Sequence, residues 1–130
     1  MQNYNTMKIT PSEYKILIVD DVTSNVLLLK VLLTNEKFNV ITASSGKQAL
    51  ELVENDRPDL VLLDVMMPEM NGFEVAQILK QKTETSEIPI IFLTALNGTT
   101  DVVKGFQVGG NDFISKPFNK EELIIRITHQ

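Results

Sequence analysis

Four short apolar runs in this chain each end on residues that can do chemistry. Asp20 and Asp21 close KILIVDD, Asp64 closes LVLLD, Thr94 closes IIFLT, and Lys116 closes DFISK just before Pro117. Runs that are continuously apolar, rather than alternating, are expected of strands covered on both faces. If such strands are parallel, their ends meet at one edge of one sheet. Three carboxylates, a hydroxyl and an ammonium would then share a cleft. Magnesium prefers hard oxygen ligands, usually one or two carboxylates plus waters and phosphate oxygens. Lysine is a point-charge partner for phosphate, and a hydroxyl can donate to a phosphate oxygen. A carboxylate can also attack phosphorus and become an aspartyl phosphate. The set therefore points to a phosphorylatable aspartate, Asp64.

Each residue has a blander explanation on its own. Asp20-Asp21 could open a polar loop or cap a helix from Ser24 onward, but two adjacent carboxylates repel each other unless a cation lies between them. Asp64 could be an N-cap, yet Pro68 and Gly72 put the next helix several residues downstream. Thr94 could be a β-branched strand end and Lys116 solvated surface. Five such positions, all at strand ends, are far more specific than any one of them.

The elements that must position these groups are legible as five strands, Lys15–Val19, Phe38–Ala43, Asp59–Leu63, Ile90–Leu93 and Asp112–Ser115, each followed by a helical pattern. Ser45-Gly46-Lys47-Gln48 and Asn119-Lys120-Glu121-Glu122 place a capping oxygen three residues before Gln or Glu. Asn71-Gly72 marks the turn before the third helix and Gly109-Gly110 closes the fourth. Strand–helix alternation with right-handed crossovers gives an open, doubly wound α/β sheet that binds ligands beyond the carboxyl ends of its strands. Residues 1–13 read as a flexible arm and 14–130 as one domain.

Composition narrows the function classes. At 130 residues the chain can bury roughly two-thirds of its unfolded surface as one domain. Twelve basic against 17 acidic residues leave a net charge of −5 with no basic stripe for nucleic acid or anionic lipid. With no cysteine, disulfides, thiolate zinc sites and thiol catalysis are excluded. The polar opening MQNYNTMKITPS lacks a signal-peptide core and no apolar run reaches membrane-spanning length, so a cytoplasmic location is the default. His129, the only histidine, is read as part of an unstructured tail.

The landmarks IVDD, DLVLLDVMMPEMNG, PIIFLTA and GGNDFISKPFNKEEL together resemble the receiver domain of two-component response regulators, in that family's order and spacing from about Tyr14 to Ile127. The resemblance implies a flavodoxin-like (βα)5 three-layer sandwich with a parallel sheet of order 2-1-3-4-5. It implies that Asp64 accepts a phosphoryl group from a phosphohistidine on a histidine kinase or histidine phosphotransfer protein. Mg²⁺ (or Mn²⁺) would be held by Asp21 and Asp64 directly, by Asp20 through water, and by the backbone carbonyl of Met66. Lys116, Thr94 and the backbone N–H groups of Met66 and Ala95 would hold the phosphate.

By the same resemblance Thr94 and Phe113 form the switch, and Lys116–Pro117 is a cis peptide. Ser24, Asn25, Leu28, Pro117 and Phe118 would dock the partner. Receivers often pair through their fourth and fifth helices, which leaves a phosphorylation-linked dimer open. Met66 and Leu96 take the positions flanking the attacking water; being apolar they cannot orient it, so self-dephosphorylation is expected to be slow. The first helix, apolar almost all round, carries a surplus face for further burial or for a partner.

Other classes fit less well. An aspartate-nucleophile phosphatase would want a second Asp where Met66 stands. A flavin protein would not place two carboxylates in its phosphate loop. A non-phosphorylated pseudo-receiver acting as a binding module is the least supported alternative, since every acceptor-site residue is present. The DDVTSN and GGNDFISKPF segments look most like receivers attached to hybrid sensor kinases, which pass phosphate to a phosphotransfer domain.

Overall fold

A computed structural model of the chain describes residues 10–95, 104 and 107–130. Expectations for residues 1–9 of the arm, for Leu96 and for most of the fourth helix lie outside these residues. A single 3-10 turn, Pro11–Glu13, with proline at its start, precedes the first strand.

Five strands, β1 (Lys15–Val19), β2 (Asn39–Ala43), β3 (Leu60–Asp64), β4 (Ile90–Thr94) and β5 (Asp112–Ser115), form one parallel sheet of order β2-β1-β3-β4-β5. This is the expected doubly wound arrangement. Four α-helices are seen among the described residues: α1 (Thr23–Asn35), α2 (Gly46–Asp56), α3 (Gly72–Gln81) and α4 (Lys120–Thr128).

The two-residue period of a strand decides which helix layer each side chain meets. Leu17, Val19, Val61, Leu63, Ile90 and Phe92 face α2 and α3, where Ala49, Val53, Val75, Ala76 and Leu79 complete one core. Ile16, Ile18, Leu60, Leu62, Ile91, Leu93 and Ile114 face α1 and α4, closing over Leu29, Leu33, Leu123 and Ile127. Both faces of β1, β3 and β4 are covered, which is why those strands read as continuous apolar runs.

Strand and helix ends depart from expectation by a residue, for identifiable reasons. Phe38 does not open β2. Its N–H bonds back to Leu33 while that of Lys37 bonds to Thr34, and Lys37 is left-handed at φ 75°: a Schellman closure of α1 with Phe38 buried as its apolar plug. Asp59 likewise stays outside β3, its carboxylate accepting the Lys15 N–H at 2.7 Å. Ser45 and Asn119 cap α2 and α4 as expected, but the reciprocal half of each box is diverted. The Gln48 side chain accepts from the Ser44 N–H, and Glu122 pairs with Arg126. The complete capping box belongs to Asn71 and Glu74 at the head of α3. His129 is no loose tail residue; its N–H closes the last turn of α4 on Ile125.

Candidate functional site

The alternation that sorts the core also sorts the chemistry. Asp20 continues the row Ile16–Ile18, Asp64 the row Leu60–Leu62, and Lys116 follows Ile114, so all three extend toward the α1/α4 layer. Thr94 continues Ile90–Phe92 on the opposite, α2/α3 face. The site thus sits across the sheet's carboxyl edge, as sequence order alone suggests.

The structure brings the acidic residues together. One carboxylate oxygen from each of Asp20, Asp21 and Asp64 lies within 4.8 Å of the others. Asp20 is fully buried, Asp64 is 3% exposed and Asp21 is exposed. The Lys116 ammonium donates to Asp64 Oδ1 at 3.1 Å and lies 3.4 Å from Asp20 Oδ2. The Lys116–Pro117 bond is cis.

Asp20 is positioned by local contacts that the sequence did not announce. Its Oδ1 accepts the Val22 N–H at 2.9 Å and its Oδ2 accepts the Asn25 side-chain amide at 3.1 Å. Asn25, expected at a docking surface, therefore turns its amide to the acidic cluster. Val22 N-caps α1 without a side-chain bond, so the Asp20 carboxylate takes over part of that duty. The only advance signal was the short spacing of Asp20 and Asn25 across a helix start.

Asp64 depends on a second unannounced residue. The first turn of α3 packs against the end of β3 so closely that a β-carbon on Gly72 would meet the Asp64 carbonyl oxygen at 2.2 Å. The Gly72 N–H bonds to Val65 O at 2.9 Å. The Asn-Gly turn was visible in the sequence; its contact with the acidic site was not.

Burial pushes the Asp64 carboxyl up to about 6; hydrogen bonding by Lys116 pulls the other way, and the charges of Asp20 and Asp21 add to the rise. Lys116 is itself held above the ordinary lysine value: burial opposes its charge, but the bond to Asp64 and the nearby Asp20 outweigh it. One ammonium facing three carboxylates leaves the cluster negative. Hard oxygen donors converging this closely, with no sulfur or nitrogen ligand, fit Mg²⁺ or Mn²⁺.

The remaining expected residues are spread around this centre. Thr94 is buried at the end of β4 and Ala95 exposed just beyond it; Met66, two residues past Asp64, is exposed. Phe113 packs on Phe92 with ring centroids 5.3 Å apart, and Phe92 meets Phe73 edge-on at 5.1 Å. Ser24, Leu28 and Pro117 are exposed on the α1 and β5 side of the site, whereas Phe118 packs partly into the core below α4.

Comparison with known proteins agrees with this arrangement. The family model for the response regulator receiver domain matches residues 16–128. The transcriptional regulatory protein CpxR of Escherichia coli is 49% identical over 113 residues, 87% of this chain and 47% of CpxR. The chain spans between 25% and 49% of the length of curated relatives that it matches. A response regulator from Chloroflexus aurantiacus superposes with a TM-score of 0.86 at 32% identity, covering 89% of this chain and 95% of that one. The receiver domain of sensor histidine kinase PA1611 from Pseudomonas aeruginosa, which has a magnesium ion coordinated in its active-site cleft, superposes at 0.81 with 30% identity, covering 89% and 94%.

Proposed function

Because this chain belongs to the response regulator receiver domain family, we propose that Asp64 is the acceptor through which it takes part in phosphorelay signalling. The donor is a phosphohistidine on a histidine kinase or histidine phosphotransfer protein. The observation that carries this reading is a nearly buried carboxylate, Asp64, held by Lys116 inside a cluster of oxygen ligands.

An Asp64 oxygen forms the new bond to phosphorus as the P–N bond of the donor breaks and its electron pair returns to the imidazole. Asp21 and Asp64 would hold Mg²⁺ directly, Asp20 through water, and Met66 through its backbone carbonyl. When bound, the ion supplies neutralisation of the phosphoryl oxygens' charge, the main requirement of phosphoryl transfer. Lys116, already 3.1 Å from Asp64, offers the phosphoryl group a cation from the α1/α4 side. Thr94 offers a hydroxyl from the other side, and the Met66 and Ala95 N–H groups would donate to the phosphoryl oxygens as well.

Thr94 and Phe113 share a face of the sheet and both adjoin Phe92, which precedes Thr94 in that row of β4 and stands opposite Phe113 in register; this supports their role as a switch pair. Movement of Thr94 toward a phosphoryl group frees space for Phe113. Phenylalanine has no hydroxyl, so that switch works through packing. Exposed Ser24, Leu28 and Pro117 form the docking surface for the donor. Apolar Met66 cannot orient an attacking water, so the aspartyl phosphate is long-lived. Receivers of DNA-binding regulators and of histidine kinases share this step, and it is the step assigned to this chain.

The test is mass spectrometry after incubation with acetyl phosphate and Mg²⁺. One added phosphate is expected on the parent, and none on Asp64→Asn or without the ion. Phosphate appearing on the variant would remove Asp64 from the acceptor role.

A further inference from the structure

Three methionines stand in the loop between β3 and α3, and their surroundings differ sharply. Met67 is 8% exposed and Met70 packs partly against the α2/α3 core, whereas Met66 is 67% exposed, more than any other large hydrophobic side chain among the described residues. It lies two residues from Asp64. The chain has no cysteine to intercept an oxidant first. An exposed thioether two residues along the chain from the acceptor carboxylate is thus the most accessible soft nucleophile among the described residues.

We propose that Met66 is an oxidation site for hydroperoxides, and that its sulfoxide shortens the life of the phosphoryl group on Asp64. The inference rests on the acceptor role given to Asp64 above. In the reaction the sulfur lone pair attacks the terminal peroxide oxygen. The S–O bond forms as the O–O bond breaks, sulfur loses two electrons, and the peroxide leaves as an alcohol or, from hydrogen peroxide, as water. The product replaces an apolar thioether with a polar sulfinyl group, chemistry that thiol-driven reductases reverse.

The consequence follows from hydrogen bonding. A thioether is at best a weak acceptor, so unmodified Met66 leaves water beside Asp64 unheld. A sulfinyl oxygen is a strong acceptor, and it can hold a water at the rim of the cleft where the aspartyl phosphate is hydrolysed. One such bond corresponds to about a fivefold faster hydrolysis, equivalent to about 1 kcal/mol.

The experiment treats the whole chain with hydrogen peroxide and locates sulfoxide by peptide mass spectrometry. It then follows loss of phosphate after labelling with acetyl phosphate and Mg²⁺. Met66 should oxidise before Met67 and Met70, and the phosphoryl half-life should fall about fivefold. Met66→Gln, which carries a fixed amide acceptor, should lose phosphate quickly without peroxide, and Met66→Leu should have the same half-life before and after treatment. An unchanged half-life with Met66 oxidised overturns the inference while leaving Asp64 as acceptor. An equal acceleration in Met66→Leu also overturns it. Failure of untreated protein to take up any phosphate instead removes the acceptor reading on which the inference stands.

Discussion

A β-carbon on Gly72 would lie 2.2 Å from the carbonyl oxygen of Asp64, so the head of α3 and the end of β3 share a space that only glycine leaves open. Gly72→Ala must push the two elements apart. We expect a loss of about 1–3 kcal/mol in urea unfolding, the usual cost of overpacking. Phosphate uptake should fall as well, because the backbone that aims Asp64 moves. Gly46→Ala is a useful comparison. It meets Val75 and Met70 side chains at 2.9–3.1 Å, and side chains give way more easily than backbone.

The Asp64 carboxyl titrates near 6 in the metal-free protein, above its ordinary value of 3.8. The folded state therefore binds more protons than the unfolded state between these values. The contribution to stability is present below about 4 and is lost as pH rises through about 6. Asp64→Asn removes this dependence. At pH 7 the variant should be more stable than the metal-free parent, by something on the order of 2 kcal/mol, and the gap should close on acidification to pH 4. Thermal unfolding of both proteins across that range measures it.

The same proton competes with a cation. Mg²⁺ needs the carboxylate, so its apparent affinity should rise with pH and level off above about 6. Below that value it should fall by about tenfold per pH unit. Titration by calorimetry at several pH values gives the slope, and a flat profile would show that Asp64 is not a ligand.

Lys37 holds a left-handed backbone, φ 75°, at the end of α1. Side chains with a β-carbon cost roughly 1 kcal/mol there, and glycine is free of that strain. Lys37→Gly should stabilise the fold by up to about 1 kcal/mol in urea without altering phosphate uptake, since Lys37 lies on the loop leading into β2, at the opposite end of α1 from the acidic cluster.

Phe92 is fully buried between Phe73 and Phe113. Phe92→Ala should cost about 3–5 kcal/mol, the range for deleting a buried aromatic. Phe92→Leu, which keeps most of the volume, should cost clearly less, as equilibrium unfolding would show.

The residues that stand at strand ends were the easiest to read. Asp20, Asp64 and Thr94 each end a buried run, and burial on both faces makes such runs continuous in sequence; Lys116 follows β5, of which only Ile114 is buried. Contacts set by three-dimensional approach were not legible. The amide of Asn25 on Asp20 and the fit of Gly72 against Asp64 leave no pattern beyond their residue types. The first helix shows the limit of periodicity: Leu27, Leu28 and Val31 are exposed while Leu29 and Leu33 are buried, and apolar residues on all sides conceal which is which. Phe38 misled for another reason. An aromatic beside a strand looks like part of it, but here it plugs the end of α1.

Asp64 and Lys116 extend from one face of the sheet and Thr94 from the other, so any group they hold in common spans the sheet's thickness. Thr94 continues a row of side chains packed against α2 and α3, and Asp64 and Lys116 continue rows packed against α1 and α4. A single small ligand at that edge would therefore touch side chains rooted in both helical layers.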